Sequence, residues 1–437
     1  MISDSGYAEG AGALREDFIP RGEYAAPDID MLEEEKLWPK VWQVACREEE
    51  IPNIGDYVIY DIAAESFLIV RTAENKIGAF YNVCTHRGRR LRTAPTGNVA
   101  VGITCPFHAW RFDLEGNLKH APNPEGWKAS GELDKEKVAL MRPRVDRFAG
   151  WVWLSMDENA PPLLDYLAPA ARGLMPFALE DARLVFYKTL HVPVNWKVVL
   201  EAFIEGYHSH GTHPQMMRYG SLSWAGELEQ GLNTSHGTHV LKVPENMEPR
   251  ERFYRLITEL NETLHAMFLD PGLAAARRVR NLPEGTSEAD VMASYWQFHR
   301  EELEWRGAKW PEALKPEHLH NTMWHVFPNT SILPTVDGAL WYRFRPDPDK
   351  HGESILDVFV LGRFAPGCEH SVKQEVFPTL ESFKGQNPFL EQDFGNLIAV
   401  NKGMRSRAWK GANINPAEEV TVYHFHRNLR SYLTAEG

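Results

Sequence analysis

Two short loops constrain this chain more than any other feature. Cys84-Thr85-His86 and, eighteen residues later, Cys105-Pro106-Phe107-His108 each offer one thiol and one imidazole, as C-x-H and C-x-x-H. β-type sequence leads into both, Ile77-Gly78-Ala79-Phe80-Tyr81-Asn82-Val83 before the first and Val99-Ala100-Val101-Gly102-Ile103-Thr104 before the second. Gly88 and Pro106 stand beside the Cys and His residues, where the chain must bend tightly round something compact. A binuclear iron–sulfur cluster with two Cys on one iron and two His on the other calls for this equal mixture, one of each from two fingers. Zinc is the weaker reading, because zinc modules pair Cys with Cys and His with His at C-x2–4-C and H-x3–5-H spacing. A disulfide between Cys84 and Cys105 would account for the thiols and leave both His residues unexplained.

Length and composition narrow the class. A chain of 437 residues has room for two domains or one large one. Its hydrophobic and charged fractions, 43% and 24%, are those of an ordinary soluble globular protein. A formal charge of −13 with no long basic run argues against nucleic acid as a partner. Four Cys are few for this length, and Cys46 and Cys368 read as lone thiols filling apolar space. Such usage fits a reducing cytoplasm. The start, Met1-Ile2-Ser3-Asp4-Ser5-Gly6, lacks the basic-then-apolar pattern of a signal peptide. No stretch approaches eighteen uninterrupted apolar residues, so no membrane span is expected.

The run Cys84-Thr85-His86-Arg87-Gly88, with Cys105-Pro106-Phe107-His108-Ala109-Trp110-Arg111-Phe112-Asp113 and Gly116, resembles the cluster-binding segment of Rieske non-haem iron oxygenases. The similarity is to the large (α) subunit of aromatic-ring-hydroxylating oxygenases. It implies an α+β chain: an all-β Rieske [2Fe–2S] domain followed by a helix-grip catalytic domain, an antiparallel sheet with helices, holding a mononuclear iron. Cys84, His86, Cys105 and His108 would be the cluster ligands, with Phe107 and Trp110 shielding them.

Read in order, residues 1–42 form an acidic, Gly- and Ala-rich arm and then a helix from Pro27 to Trp42, packing on the catalytic domain. Residues 43–157 form the cluster domain. Its strands are Asp56–Tyr60, Phe67–Val70 and Ala79–Val83, and it closes with Arg147–Leu154. Asp, Glu, Asn and Pro accumulate near 157–162, marking the boundary to a catalytic domain at 158–437. That domain opens with a strand, Arg183–Lys188, and a helix beginning at Val194–Lys197. An insertion at about 245–315 is helical, with Phe253, Leu256, Ile257, Leu260 and Leu264 on one face. Strands return at Met323–Phe327, Ile332–Leu333, Leu340–Phe344 and Leu356–Leu361. A long helical segment is expected from about Glu369 to Lys402.

A second metal site is sought in Glu201-Ala202-Phe203-Ile204-Glu205-Gly206-Tyr207-His208-Ser209-His210-Gly211-Thr212-His213. On a helix Glu205 and His208 share a face, whereas His213, five residues past His208, lies well round the cylinder. Both imidazoles could reach one ion only where the helix distorts or ends, and Gly211-Thr212 is a place for that. Fe(II) oxygenases use two neutral imidazoles and one carboxylate on one side of the ion. His208 and His213 would be the imidazoles; His210 points the other way and reads as packing. For the carboxylate, Asp393 shares a helical face with Phe389, Leu390, Leu397 and Val400. An acid there is costly unless bound to metal or paired with an Arg, and the residues alone leave both readings open. The resemblance favours metal, because Asn195-Trp196-Lys197, Glu205-Gly206-Tyr207-His208, Glu391-Gln392-Asp393 through Asn396, and Lys402-Gly403-Met404 are similar, in order, to the family's iron-site segments.

Glu205 departs from the family's usual Asp. That acid is thought to bridge the iron of one subunit to the cluster of its neighbour, here from His208 to His108 of the next copy. A minority with Glu includes enzymes acting on quaternary amines. The resemblance therefore implies a terminal oxygenase, NAD(P)H-dependent through a reductase or ferredoxin, that uses O2 at Fe(II) to mono- or dioxygenate a hydrophobic, aromatic substrate. The alternative is a quaternary amine or a demethylation. It also implies a bacterial, cytoplasmic homotrimer, with or without a β subunit. Expected pocket walls are Phe203, Ile204, Met216, Met217, the inserted helices, and the strands at Trp324–Val326 and Leu340–Tyr342. Two competing readings stand. Glu205-x-x-His208 and Glu317-x-x-His320 match the E-x-x-H pairs of helical di-iron proteins. A Rieske electron carrier fused to a ligand-binding domain would need none of the second site's residues.

Overall fold

Alternating β-branched and aromatic residues between turn signals give the first third of the chain its strands. The computed structural model describes residues 14–26, 28–128, 131, 133–217, 221–224, 231, 234–242, 247–319 and 322–435. Contacts divide the chain into two units, Glu34–Leu163 and the residues on either side of it.

The smaller unit is built of antiparallel sheets. One has the order Lys76–Tyr81, Glu65–Ala73, Asp56–Ile62, Thr96–Asn98. Another runs Arg144–Phe148, Trp151–Ser155, Gln43–Arg47, and the third joins Ile103–Thr104, Arg111–Phe112 and Leu118–His120. The expected closing strand Arg147–Leu154 is a hairpin instead, with Phe148 paired to Trp151 across Ala149 and Gly150. Both turn residues have positive φ, 56° and 75°, as a two-residue turn matched to strand twist requires. The strand expected over Val99–Thr104 survives only at Ile103–Thr104, because Gly102, at φ 109°, turns back to bond Val99. The core joins Leu68, Val70, Phe80, Phe112 and Leu118 to both Cys84 and Cys105.

The larger unit centres on an eight-stranded sheet. Its order is Ser221–Trp224, Thr234–Lys242, Thr322–Val326, Thr330–Pro334, Gly338–Pro346, Ser354–Gly362, Arg183–Val192, Gln374–Phe377. Neighbours pair antiparallel except the last, which runs parallel to Arg183–Val192. At its centre Asp357, fully buried, accepts from Arg343 and Arg345 at 2.8 and 2.9 Å and from Thr189 at 2.6 Å. These guanidinium groups hold its carboxyl down at about 2 against the opposing effect of burial. Helix α1 (Trp196–Glu201) packs on the sheet, capped by Asn195, whose side chain accepts from Lys197 N at 3.0 Å.

Three helices form the insertion, α2 (Pro249–Leu264), α3 (Asp270–Arg280) and α4 (Glu288–Trp305), around Ile257, Ala275, Ala276, Val279, Val291 and Tyr295. The helix expected from Glu369 is largely displaced. Residues 374–377 add a strand to the sheet edge, Leu380–Phe383 is a single turn, and α5 begins only at Pro388 and runs to Met404. Gly385, at φ 81°, and Asn387, which caps Leu390 N at 3.0 Å, explain the late start. A further helix, α6 (Val420–Leu433), adds to the elements expected from the sequence. Phe18–Pro20 pairs with Gly411–Asn413, and Glu23 of the same arm pairs with Arg430 and faces His426. Among the described residues no helix is long and apolar enough to cross a membrane.

Candidate metal centres

The two cluster loops are built alike. In each, the Cys carbonyl accepts from the amide four residues on, Gly88 at 2.9 Å and Ala109 at 3.1 Å. Those two residues take the left-handed conformation, with φ 74° and 56°. Gly88 was legible as a bend, whereas the second bend falls on Ala109 rather than Pro106, against the steric preference of alanine. Cys84 N and Cys105 N are held by the carbonyls of Arg89 and Trp110 at 2.8 and 2.7 Å. Arg92 ties the loops together through Leu91 O and Thr104 O, at 2.7 and 2.8 Å.

Depth separates the donors. Cys84 and Cys105 are buried, whereas His86 and His108 are half-buried, ring centroids 4.6 Å apart. Both thiols are free, so the disulfide reading fails. Burial pushes the Cys84 thiol up to about 11, with Cys105 adding to it, so deprotonation there needs a bound cation. His86 is held below its ordinary value by burial, His108 and Arg87, which favours the neutral, ligating imidazole. Trp110 stacks on His86 at 4.7 Å and 9°, and exposed Phe107 packs on His108 at 3.8 Å. Buried thiols below and imidazoles toward solvent suit an unsymmetrical binuclear cluster. Of the other thiols, Cys46 is buried as expected, but Cys368 is exposed and fills no core.

The second group lies in the larger unit. Glu205 and His208 do not share a helix: α1 ends at Glu201 and the chain passes through turns to a short helix, Ser209–Thr212. The carbonyls freed by this early ending are taken by buried hydroxyls, Ser331 on Phe203 at 2.7 Å and Thr421 on Ile204. His208 precedes the short helix and His213 follows it, with ψ 65°, so both imidazoles turn to one place. They meet Asp393 of α5, and the ligand atoms of the three lie within 4.8 Å of one another. On α5 the buried face is Leu390, Asp393, Phe394 and Leu397, while Val400 is exposed, contrary to the expected stripe.

Hydrogen bonds fix which nitrogens are free. The Glu205 carboxylate can only accept, so the 2.6 Å contact makes His208 Nδ1 the donor, and its second oxygen takes His208 N at 3.1 Å. Burial opposes a charge on His208, but Glu205 and Asp393 outweigh it and hold the group above its ordinary value. Gln392 Oε1 likewise faces His213 Nδ1 at 2.9 Å. In the neutral rings that a metal binds, both Nε2 atoms would then turn lone pairs toward Asp393 Oδ1, 3.6 Å from His208 and 3.0 Å from His213, whereas an imidazolium would carry a proton there. His213 Nε2 and Asp393 Oδ1 are buried without a hydrogen-bond partner. Facing lone pairs at such distances repel unless a proton or a metal cation sits among them. Adjacent ligands about 2.1 Å from one ion lie about 3 Å apart, which fits the donor set to a divalent metal.

A cavity of about 500 Å³ opens beside this group, lined by Glu201, Glu205, His208, Asp393, Trp409 and Glu419 among others. Among the described residues, its lining includes none of the expected apolar walls. Phe203 instead packs on Tyr342 and Phe344 at 4.7 and 5.4 Å, and the side chains of Met216 and Met217 lie outside the described residues. Glu419 is pushed up to about 7 by burial and by the Glu205 and Glu201 carboxylates. Glu201 and Glu419 had no distinguishing signal in the sequence. His210 is exposed, and of the second E-x-x-H pair Glu317 is exposed while His320 lies outside the described residues.

Comparison with known proteins adds to this geometry. The Rieske [2Fe-2S] domain family matches residues 41–135, and the ring hydroxylating alpha subunit (catalytic domain) family matches residues 179–435. Carnitine monooxygenase oxygenase subunit of Escherichia coli (strain K12) is 31% identical over 255 residues, 58% of this chain and 65% of that protein. Glycine betaine monooxygenase oxygenase subunit of Pseudomonas aeruginosa (strain UCBPP-PA14) is 31% identical over 200 residues, 46% of each. The matched region thus spans less than two thirds of either relative's own length. In fold, naphthalene 1,2-dioxygenase from Rhodococcus sp. is similar over 100% of both chains, with TM-score 0.66 and 20% identity.

Proposed function

From the premise that this chain belongs to the ring hydroxylating alpha subunit family, with a Rieske domain before its catalytic domain, we propose that it is the terminal oxygenase of a multicomponent system. Cys84, His86, Cys105 and His108 would hold the [2Fe–2S] cluster, and His208, His213 and Asp393 the mononuclear Fe(II). The cluster would supply one-electron transfer from NAD(P)H by way of a reductase or ferredoxin, and the iron would supply O2 activation for oxygenation of substrate. The observation that carries this reading is the convergence of unpartnered His213 Nε2 and Asp393 Oδ1 with His208 Nε2 in a buried setting.

The chain's own residues have distinct tasks. Glu205 holds the Nδ1 proton of His208 and leaves Nε2 free for metal. Trp110 and Phe107 cover the imidazole edge of the cluster site and limit its contact with water. Assembly as a homotrimer, with or without a β subunit, would let Glu205 link His208 to His108 of a neighbouring copy.

For substrate, a quaternary ammonium compound is favoured over the hydrophobic aromatic one. Both named relatives are oxygenase subunits for quaternary ammonium compounds, and Glu205 is the acid that resemblance associates with that group. Metal analysis tests the class: about three irons and two acid-labile sulfides per chain are expected. Zinc without sulfide would end the proposal. Product analysis under 18O2 with carnitine, glycine betaine and aromatic acids tests the substrate. Labelled product from aromatic acids alone would reverse that preference.

A further inference from the structure

We infer that Gln392 is a positioning residue for the second metal site, setting the tautomer and ring angle of His213, and that Gln215 sets the orientation of Gln392. The inference rests on the reading of His208, His213 and Asp393 as an iron site, and it concerns residues outside that ligand set.

His213 is fully buried, and two contacts other than Asp393 govern its ring. Phe389 stacks on it at 3.7 Å and 13°, which fixes the plane. A stacking partner leaves open which nitrogen carries the proton and which edge faces the metal. Gln392 supplies that choice, because its Oε1 lies 2.9 Å from His213 Nδ1 and an amide oxygen can only accept. Nδ1 then keeps the proton, and the Nε2 lone pair faces Asp393.

An exposed glutamine could trade such a contact for water or turn its NH2 toward the ring. Gln215 opposes both. Its Nε2 donates to the same Gln392 Oε1 at 2.8 Å, while its Oε1 lies 3.5 Å from Gln392 Nε2, an amide facing an amide. Turning Gln392 over would bring two NH2 groups together and put a donor against His213 Nδ1–H. One turn along α5, Asn396 donates to Thr212 Oγ1 at 3.0 Å, holding the end of the short helix from which His213 projects. The two imidazoles are therefore unequal: His208 leans on a carboxylate, His213 on a neutral amide whose direction is set by a neighbour.

The test uses full-length protein that keeps its cluster, freed of the mononuclear metal and titrated anaerobically with Co(II), whose visible bands report the ligand set. Sulfide is measured alongside as a control for folding. Gln392→Leu removes the acceptor and is expected to bind Co(II) about 10- to 100-fold more weakly, with sulfide unaltered. Gln392→Glu keeps an acceptor and should bind at least as tightly as the parent. Gln215→Leu frees the amide to turn and should fall between the two. Parent-like affinity in Gln392→Leu overturns the inference, as does a Gln392→Glu loss equal to that of Gln392→Leu, which would mean packing alone matters. If Gln392→Leu fails to fold, parent-like affinity in Gln215→Leu overturns it equally. A parent protein that binds no Co(II) or Fe(II) at this site would sink the iron-site reading itself, a separate outcome.

Discussion

Replacing Glu205 by Gln tests the link between the site's geometry and its chemistry with almost no change in volume. Glu205 spends both carboxylate oxygens on one residue, His208 Nδ1 at 2.6 Å and His208 N at 3.1 Å. A charge-assisted hydrogen bond contributes about 1.5–3 kcal/mol and a neutral one about 0.5–1.5, so the ring contact should weaken by roughly 1–2 kcal/mol. The second contact is lost outright, because the amide NH2 cannot accept from His208 N–H. Part of that is offset, since the neutral side chain no longer repels Glu419 beside it. The net expectation is a site about 5- to 30-fold weaker for Fe(II), at about 1.4 kcal/mol per tenfold. At saturating Fe(II) the variant should still fill both centres and accept electrons at the cluster, yet form less product per electron consumed. The assay is anaerobic Fe(II) titration followed by a single turnover from the reduced cluster, counting product against cluster oxidised. A variant with parent-like Fe(II) affinity and full coupling would refute the reasoning, since Glu205 would then be neither clamp nor link.

Three further expectations follow from other parts of the molecule. Cys105→Ala and Asp393→Ala chains should each be inactive, but co-expressed in equal amounts they should regain about a quarter of the activity if electrons pass between copies in a head-to-tail ring. No activity from the mixture would mean the two centres of one chain work only with each other. Asp357→Asn leaves Arg343 and Arg345 buried without their anion and should cost about 3–5 kcal/mol in urea unfolding; a loss under about 1 kcal/mol would contradict the role given to that network. The buried pair Glu23–His426 makes stability depend on pH from both sides. His426 and Arg430 hold Glu23 below its ordinary 4.5 against burial, so its contribution is complete above that pH and lost as pH falls through the depressed value. Glu201 and Glu23 hold His426 above its ordinary 6.5, again against burial, so its contribution is complete below that pH and lost as pH rises through the raised value. The Tm gap between the parent and His426→Gln should therefore be widest between pH 4.5 and 6.5, and a gap constant from pH 4 to 9 would exclude this ionic role.

How much of this was legible in the chain depends on how local the determining forces are. Cys84, His86, Cys105 and His108 stand in two loops a few residues long, and strand alternation around them is a short-range signal, so sequence alone brings those four residues forward as one candidate group with strands round them. His208 and His213 were legible as a pair for the same reason. The path of the backbone between Glu201 and His213 was not. It depends on Ser331 and Thr421, distant in sequence, accepting the role of closing carbonyls that a continuing helix would have used. Asp393 could be named but not placed, because a single acid on an apolar face has the same pattern whether it meets an Arg or two imidazoles. Gln392, Gln215 and Glu201 carry no pattern at all: each acquires its part only when α5, α6 and the segment from the end of α1 bring its polar group within about 3 Å of another, and hydrogen-bond geometry falls off too steeply for spacing along a chain to reveal it.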